Sequence, residues 1–282
     1  MKKFFLKLEK LLKRIFVIFK EETLVPIAVP TDKDKMLEGK IALITGGSSG
    51  IGYSMAEEFI KSGAKVIIAG TNEEKLKNCV NKLGEENAKG IVIDVREVEQ
   101  IPEKVNKAAQ LFEENRIDIL VNSAGLVVKS DFMNMSEEEY DGIMDTNAKG
   151  TYFMSQAVAK LMIEKNIKGH ILNVSSAASL RPAWTPYQMS KWAVRGLTLG
   201  LADVLLPHGI VVNAIAPGPT ATPMLGKNEG DTIYNETNPS KRYAMPSEIA
   251  SLAVYMVSGF GDLIVGDTFY ITGGAGTITM HN

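Results

Sequence analysis

The fold of this chain is decided by the stretch Ile41-Ala-Leu-Ile-Thr45-Gly-Gly-Ser-Ser-Gly50-Ile-Gly52. The first five residues form a short apolar run typical of a buried strand, and an amphipathic segment follows the last glycine. Glycine permits a tight turn and a close approach to the backbone, and the free N–H groups of a helix N-terminus attract anions. The stretch predicts a strand, a turn and a helix that hold the pyrophosphate of a dinucleotide. A plain glycine-rich turn is the alternative, since the spacing is G-x-x-x-G-x-G and not G-x-G-x-x-G.

From residue 40 onward, short β-branched runs alternate with longer segments of helical periodicity, such as 72–83 and 97–115. This alternation is typical of βαβ units with a parallel sheet covered on both faces. We predict one α/β domain with a Rossmann-like, doubly wound parallel sheet of about seven strands. The predicted strands are 41–45, 65–69, 90–94, 117–121, 170–175, 210–214 and 268–271.

The chain divides into a basic amphipathic helix with its linker, residues 1–36, and a dinucleotide-binding domain, residues 37–282. Residues 217–246 are rich in Pro, Gly, Asn and Thr. Irregular segments of that length inside a domain are usually functional, so we predict that this segment is a lid.

The first 20 residues begin like a signal peptide, but charged side chains such as Lys7, Glu9 and Lys13 interrupt the apolar region. No stretch there approaches the roughly 20 apolar residues that span a bilayer. Apolar residues at helical spacing and basic residues on another face predict an amphipathic helix. Such a helix packs on its own protein or oligomer, lies on an anionic membrane surface, or stays disordered, and the first alternative is favoured.

Composition restricts the class of protein. The formal net charge of −2 gives no electrostatic case for nucleic-acid binding. A single cysteine, Cys79, excludes an internal disulfide framework, and three histidines without neighbouring ligands predict no metal site. We expect a cytoplasmic protein, with membrane association through residues 1–20 as the open alternative.

A candidate proton donor follows from the run Pro186-Tyr-Gln-Met-Ser-Lys191. On a helix, Tyr187 and Lys191 lie on one face, one turn apart. An ammonium group favours the phenolate, so we expect Lys191 to lower the tyrosine pKa toward the range useful for general acid and base catalysis. By itself the spacing also fits a half-buried tyrosine beside a solvated lysine. Pro186 disfavours helix at Thr185, so we predict that the helix begins at Pro186 or Tyr187.

Five motifs in this order resemble the short-chain dehydrogenase/reductase family. They are the glycine-rich turn 45–52, Asn122-Ser-Ala-Gly125, Asn147, Ser175-Ser176, and Tyr187-x-x-x-Lys191. The resemblance runs from about residue 40 to the C-terminus and leaves the first helix outside it. It implies a nicotinamide-dependent oxidoreductase that acts on a carbonyl compound or an alcohol, and a homo-oligomer, either a dimer or a tetramer.

The resemblance also implies which residues bind the cofactor. Asp94, with Val95 beside it, contacts the adenine, and Asn122, Ala124 and Gly125 support the sheet and the pocket. Ser123 replaces the second Asn that is usual in the family. The full set of implied contacts comprises Gly46, Ser48, Ser49, Gly50, Ile51, Gly52, Thr71, Asn72, Asp94, Val95, Asn122, Ala124, Gly125, Tyr187, Lys191, Pro217, Gly218, Thr220 and Thr222.

The end of the second strand bears on the choice between NAD and NADP. An acidic residue there binds the ribose of NAD and repels the phosphate of NADP. This chain has Gly70 at that position, and Thr71 and Asn72 can donate hydrogen bonds to a 2′-phosphate. The expected arginine is missing. The sequence therefore favours NADP(H) over NAD(H).

For the reaction, the resemblance implies that Tyr187 donates its proton to the developing alkoxide and that Lys191 also holds the nicotinamide ribose. Ser176 then hydrogen-bonds the substrate oxygen, with Ser175 in reserve. Asn147 supports a water relay; a helix-interior Asn bonded to backbone is the alternative. A catalytically silent dinucleotide-binding sensor or scaffold is the rival function.

The substrate is set by the lid and by loop residues. Candidates are Arg181, Trp184, Met224 and Tyr234. An aromatic residue and methionines there favour a partly apolar small molecule, and ordinary packing of the lid is the alternative.

Overall fold

Seven parallel strands form a single sheet in the order β3-β2-β1-β4-β5-β6-β7. The computed structural model describes residues 35–228 and 230–278. The strands are β1 (Ile41–Thr45), β2 (Lys65–Gly70), β3 (Ala88–Val92), β4 (Ile119–Asn122), β5 (His170–Val174), β6 (Val211–Pro217) and β7 (Thr268–Ile271). The sheet confirms the predicted Rossmann-like fold.

Helices cover both faces of this sheet. They are α1 (Gly50–Lys61), α2 (Glu73–Leu83), α3 (Ile101–Ala109), α4 (Glu137–Met144), α5 (Gly150–Glu164), α6 (Pro186–Leu205) and α7 (Pro246–Met256). Alternate residues of β1 enter opposite layers, because successive side chains of a strand point to opposite faces. Ile41 and Leu43 pack with α3, α5 and α6, whereas Ala42 and Ile44 pack with α1, α2 and α7.

The strand order places the ligand crevice. From β1 the chain proceeds outward through β2 and β3, returns, and continues from β4 on the other side of β1. Connections on the two sides of this point run in opposite directions, which opens a crevice at the carboxyl ends of β1 and β4. The glycine-rich turn after β1 and Gly125 after β4 both follow strands that end at this crevice.

Element boundaries differ from the predictions in places. The predicted strand 90–94 lies two residues earlier, at Ala88–Val92, and the predicted strand 210–214 extends to Pro217. The helical segment 97–115 contains a short 3₁₀ turn, Val98–Gln100, followed by α3. Asn115 then adopts a φ of 48°, a left-handed conformation that a right-handed helix cannot include. The predicted helix at residues 1–20 lies outside the described residues.

The described part of the 217–246 segment folds back along itself. Thr220 forms a bridge with Ala244, and Tyr234 forms one with Arg242. Arg242 also makes a bidentate ion pair with Glu248, at 2.7 Å for each bond, and this pair lowers the pKa of Glu248 to about 2. The segment is therefore anchored to the first turn of α7. Within residues 35–228 and 230–278, no helix has the length and apolar character needed to cross a membrane.

Candidate active site

A cleft of about 210 Å³ opens at the carboxyl ends of the central strands. It runs from the glycine-rich turn to the start of α6 and is closed on one side by residues 217–225. Its lining comprises Gly46, Ser49, Gly50, Ile51, Gly52, Ser123, Gly125, Val174, Ser175, Ser176, Tyr187, Lys191, Pro217, Gly218, Thr220, Thr222, Pro223, Met224 and Leu225. One continuous cavity thus joins the predicted phosphate site to the predicted proton donor.

The turn after β1 has the geometry of a phosphate cradle. Gly46 and Gly50 adopt φ values of 65° and 54°, which favour glycine. A Cβ at Gly52 would lie 2.5 Å from the carbonyl oxygen of Gly46, so only glycine lets α1 begin this close to the strand. No side chain caps the N-terminus of α1 at Ser49. Its first N–H groups therefore face the cleft region with the positive end of the helix dipole.

The first turn of α6 carries Tyr187. Thr185 is the N-cap, its side chain accepts from Gln188 N, and Gln188 bonds back to it in a capping box. Pro186 is the first helical residue, where its missing N–H costs nothing. The prediction that the helix begins at Pro186 or Tyr187 is confirmed, and Tyr187 is held in a fixed first turn at the cleft.

The two adjacent serines have different partners. The Ser176 hydroxyl lies next to the Tyr187 phenol and accepts from Ala178 N at 3.1 Å. The Ser175 hydroxyl donates to the carbonyl oxygen of Lys191 at 3.0 Å and lies 3.3 Å from Ser179 Oγ. Ser176 thus faces the phenol, while Ser175 ties the strand end to α6.

Lys191 is a buried cation, 6% exposed, at the inner end of the cleft. Its Nζ donates to the carbonyl oxygen of Val174 at 2.9 Å and lies 5.7 Å from the centre of the Tyr187 ring. Burial lowers the pKa of Lys191 to about 8. The side chain is therefore still predominantly protonated at pH 7.

The pKa of Tyr187 shifts in the direction opposite to our expectation. Burial raises it, and the hydrogen bond from Ser176 only partly offsets the rise. We expected the neighbouring ammonium of Lys191 to lower it. Desolvation of the phenolate is the dominant influence here, and Lys191 directs its Nζ to Val174. Tyr187 in this chain is thus a protonated acid at neutral pH.

Asn147 lies in a π-helical turn, Asp145–Lys149, between α4 and α5. Its Oδ1 accepts from Leu126 N at 2.7 Å, and its Nδ2 donates to Leu126 O at 3.0 Å and to Ser190 Oγ at 3.1 Å. Ser190 Oγ in turn donates to Tyr187 O at 2.7 Å. The side chain thus makes the backbone contacts of the alternative interpretation and connects the segment after β4 to the first turn of α6.

At the end of the site predicted to bind adenine, Asp94 follows β3 and accepts a bond of 2.6 Å from Arg96 Nη2. These bonds lower the pKa of Asp94. Val95 is buried in the core, where a Cβ at Gly150 would lie 2.7 Å from its Cγ2. The Val95 side chain therefore faces α5. A ligand at this position would contact only the backbone of Val95.

The end of β2 is open. A Cβ at Gly70 would lie 3.5 Å from Ser48 Oγ, an ordinary contact, and Thr71 is exposed. The Asn72 side chain caps α2 by accepting from Lys75 N at 2.8 Å, which leaves its amide N–H groups as donors.

The motif Asn122-Ser-Ala-Gly125 begins in the core and ends at the cleft. Asn122 is 3% exposed and donates to Ser155 Oγ and Asn173 Oδ1, so its side chain joins strands and helices. The N–H of Ala124 donates to Thr45 Oγ1 at 3.1 Å. Gly125 lies at the cleft, where a Cβ would be 3.9 Å from Lys191 Nζ and 4.0 Å from Met224 Cε.

The structure brings most of the predicted residues to one cleft. Those outside its lining are Ser48, Thr71, Asn72, Asp94, Val95, Asn122, Ala124 and Asn147. Sequence reasoning did not assign a cofactor or catalytic role to several lining residues, namely Ser123, Val174, Pro223 and Leu225. Their position next to named motifs was the available signal. Among residues 35–228 and 230–278, no cluster of His, Cys, Asp and Glu side chains is arranged to hold a metal ion.

Comparison with known proteins identifies relatives of this arrangement. A family model described as short chain dehydrogenase matches residues 40–232. A 3α-hydroxysteroid dehydrogenase of Mediterraneibacter gnavus is 35% identical over 248 residues, which cover 85% of this chain and 98% of that protein.

Solved structures resemble the chain over a similar length. A gluconate 5-dehydrogenase from Burkholderia cenocepacia, in complex with NADP and tartrate, superimposes with a TM-score of 0.79 at 30% identity, covering 87% of this chain and 99% of that one. A 3-ketoacyl-(acyl-carrier-protein) reductase from Brucella melitensis, complexed with NADH, gives a TM-score of 0.78 at 31% identity, with coverages of 86% and 100%.

Proposed function

Because this chain belongs to the short-chain dehydrogenase family, we propose that it transfers a hydride between NADP(H) or NAD(H) and a carbonyl compound or secondary alcohol, with Tyr187 as the general acid and base. The observation that carries the proposal is that Ser176, Tyr187 and Lys191 line the same cavity as the glycine-rich turn. Family membership supports an oxidoreductase with a nicotinamide dinucleotide.

The residues present fit such a cofactor. The glycine cradle and the uncapped N-terminus of α1 would hold its pyrophosphate, and Pro217, Gly218, Thr220 and Thr222 line the wall next to the catalytic residues. A Cβ at Gly218 would lie 2.7 Å from backbone atoms of Thr272, so this wall packs closely on the end of β7. When bound, the cofactor supplies or accepts the hydride.

The chain's own residues move the proton. In reduction, the Tyr187 hydroxyl donates to the carbonyl oxygen as negative charge develops there, and the Ser176 hydroxyl hydrogen-bonds the same oxygen. The protonated Lys191 supplies positive charge at the base of the cleft and would hold the ribose next to the nicotinamide. Asn147 positions the first turn of α6 through Ser190, and its water relay stays a prediction.

We favour NADP(H) because the end of β2 presents no carboxylate at Gly70 and offers donors on Ser48, Thr71 and Asn72. The similar structures contain NADP in one case and NADH in the other, so relatives use both. Their named activities also differ, from a hydroxysteroid to gluconate and a ketoacyl group. A carbonyl or alcohol group as the reacting group is common to all of them.

We also propose a homo-oligomer. Helices α5 and α6 expose large apolar side chains, with Tyr152 at 45%, Leu199 at 65% and Val204 at 57%, which a second copy would cover. We propose further that the protein is cytoplasmic. Residues 1–20 would contact a neighbouring subunit or an anionic membrane.

The experiment is a titration of the purified full-length chain with NADPH and NADH, followed by assays with a panel of ketones and aldehydes. Absorbance of the reduced nicotinamide reports turnover. We expect binding of at least one cofactor and carbonyl-dependent oxidation of it. Binding without turnover on any carbonyl compound or alcohol would support the silent dinucleotide-binding protein, and failure to bind either cofactor would contradict the whole proposal.

A further inference from the structure

The substrate end of the cleft is the part whose chemistry the proposed function leaves unassigned. The lining that contains Ser176 and Tyr187 also contains Gly125, Met224 and Leu225. Met224 Cε lies 4.0 Å from a Cβ built at Gly125, so this side chain reaches across the cleft toward the strand ends. Methionine adapts its shape to an apolar partner. Met224 and Leu225 thus present an apolar surface in the same cavity as the Ser176 and Tyr187 hydroxyls.

These apolar side chains are half exposed although they line a cavity. Met224 is 50% exposed and Leu225 49%. Trp184 is 58% exposed, and its backbone N donates to Gln188 in the same turn of α6 that carries Tyr187. Exposed apolar groups grouped beside a catalytic pair are typical of a site that an apolar ligand covers.

Charged side chains are nearly excluded from the lining. Lys191 is the one charged residue in the lining. The residue is 6% exposed, and its Nζ donates to Val174 O. Arg181, in the loop between Ser176 and Tyr187, is exposed and lies outside the lining, and a Cβ at Gly276 would be 3.4 Å from its Nε. Arg242 is paired with Glu248. A carboxylate or phosphate held within this lining would therefore lose hydration without meeting an unbound cation there.

We propose that the substrate is an uncharged, predominantly apolar secondary alcohol or ketone, and that Met224 and Leu225 select it. This inference rests on the proposed hydride transfer at Tyr187. An apolar ring or chain beyond the carbonyl carbon packs against these side chains, while the carbonyl oxygen takes polar contacts from Ser176 and Tyr187. Sugar acids and other polyhydroxy acids are disfavoured by the same lining.

The test uses ketones of one ring size on the full-length protein with its preferred cofactor. Cyclohexanones with a 4-methyl, 4-ethyl or 4-propyl group are compared with 4-oxocyclohexanecarboxylate. We expect kcat/KM to rise about fourfold for each buried methylene. The carboxylate should be at least about 100-fold poorer than the 4-methyl compound. A flat series, or a carboxylate or polyhydroxy keto acid that matches the 4-methyl compound, would overturn the inference while leaving hydride transfer established.

A charge introduced at the lining provides the reciprocal test. Leu225→Arg should lower kcat/KM for 4-propylcyclohexanone at least tenfold and raise it for the carboxylate. Leu263→Arg is the matched control, since Leu263 is 96% exposed and outside the lining, and it should change neither value. Equal effects of the two variants would contradict the assignment of Leu225. Should no ketone or alcohol react in protein that binds cofactor, the proposed function itself fails, and the substrate inference with it.

Discussion

Replacing each of the two adjacent serines by alanine separates a catalytic hydroxyl from a structural one. Ser176→Ala removes the hydroxyl that lies next to Tyr187 and would bond the substrate oxygen. Loss of one donor to a developing oxyanion costs about 10²- to 10³-fold in kcat, or about 2.7–4 kcal/mol. Ser175→Ala removes a 3.0 Å bond to the carbonyl oxygen of Lys191 in a residue that is 2% exposed. Such a loss costs about 1 kcal/mol of stability, and we expect kcat to change less than about threefold.

Stability alone does not distinguish these variants, since Ser176 also caps a short 3₁₀ turn through Ala178 N. Removal of that cap costs about 1 kcal/mol as well. The assay is therefore initial-rate kinetics at saturating cofactor, with urea unfolding of both variants as the control for folding. Two variants of equal stability should differ by about two orders of magnitude in kcat. An equal loss of kcat in both, with both folded, would refute the assignment of Ser176.

Three further predictions follow from the cofactor end, the buried lysine and the N-terminal segment. Gly70→Asp fits beside Ser48 Oγ and should lower kcat/KM at least tenfold for NADPH but less than about threefold for NADH; equal losses would contradict the preference for NADP(H). The kcat/KM for reduction should be constant near pH 7 and fall above about pH 8, because reduction requires protonated Lys191 and Tyr187. Lys191, with a pKa of about 8, loses its proton first, since the pKa of Tyr187 is raised. A kcat/KM that rises through about pH 8 would contradict this prediction. Deletion of residues 1–20 should change oligomer size or binding to anionic vesicles and retain hydride transfer, whereas complete loss of activity in a folded protein would place this segment in the catalytic unit.

Local patterns in the sequence predicted the parts of the fold that depend on neighbours along the chain. The strand, turn and helix around Gly46–Gly52 follow from a few consecutive residues, and Thr185 and Pro186 determine where α6 begins. The Tyr187 and Lys191 spacing needs only the geometry of one helical turn. These features were confirmed because their physical causes lie within a few residues.

The features that the sequence could not supply depend on contacts between distant segments. The partner of Asn147 is the backbone of Leu126, 21 residues away, and no periodicity connects the two. The direction of the Tyr187 pKa shift depends on the depth of the cleft and on the orientation of Lys191 Nζ toward Val174. The approach of Met224 to Gly125 likewise depends on how residues 217–246 fold back.

The central claim is that Tyr187 is the proton donor, and the most direct measurement is the kinetics and cofactor affinity of Tyr187→Phe. This variant keeps the ring in the first turn of α6 and removes the phenolic hydroxyl next to Ser176. We predict that turnover falls at least about 10³-fold, while the Kd for NADPH changes less than about threefold, since general acid catalysis supplies about 10²- to 10⁴-fold in rate. Turnover close to that of the unmodified protein, with cofactor bound normally, would contradict the account.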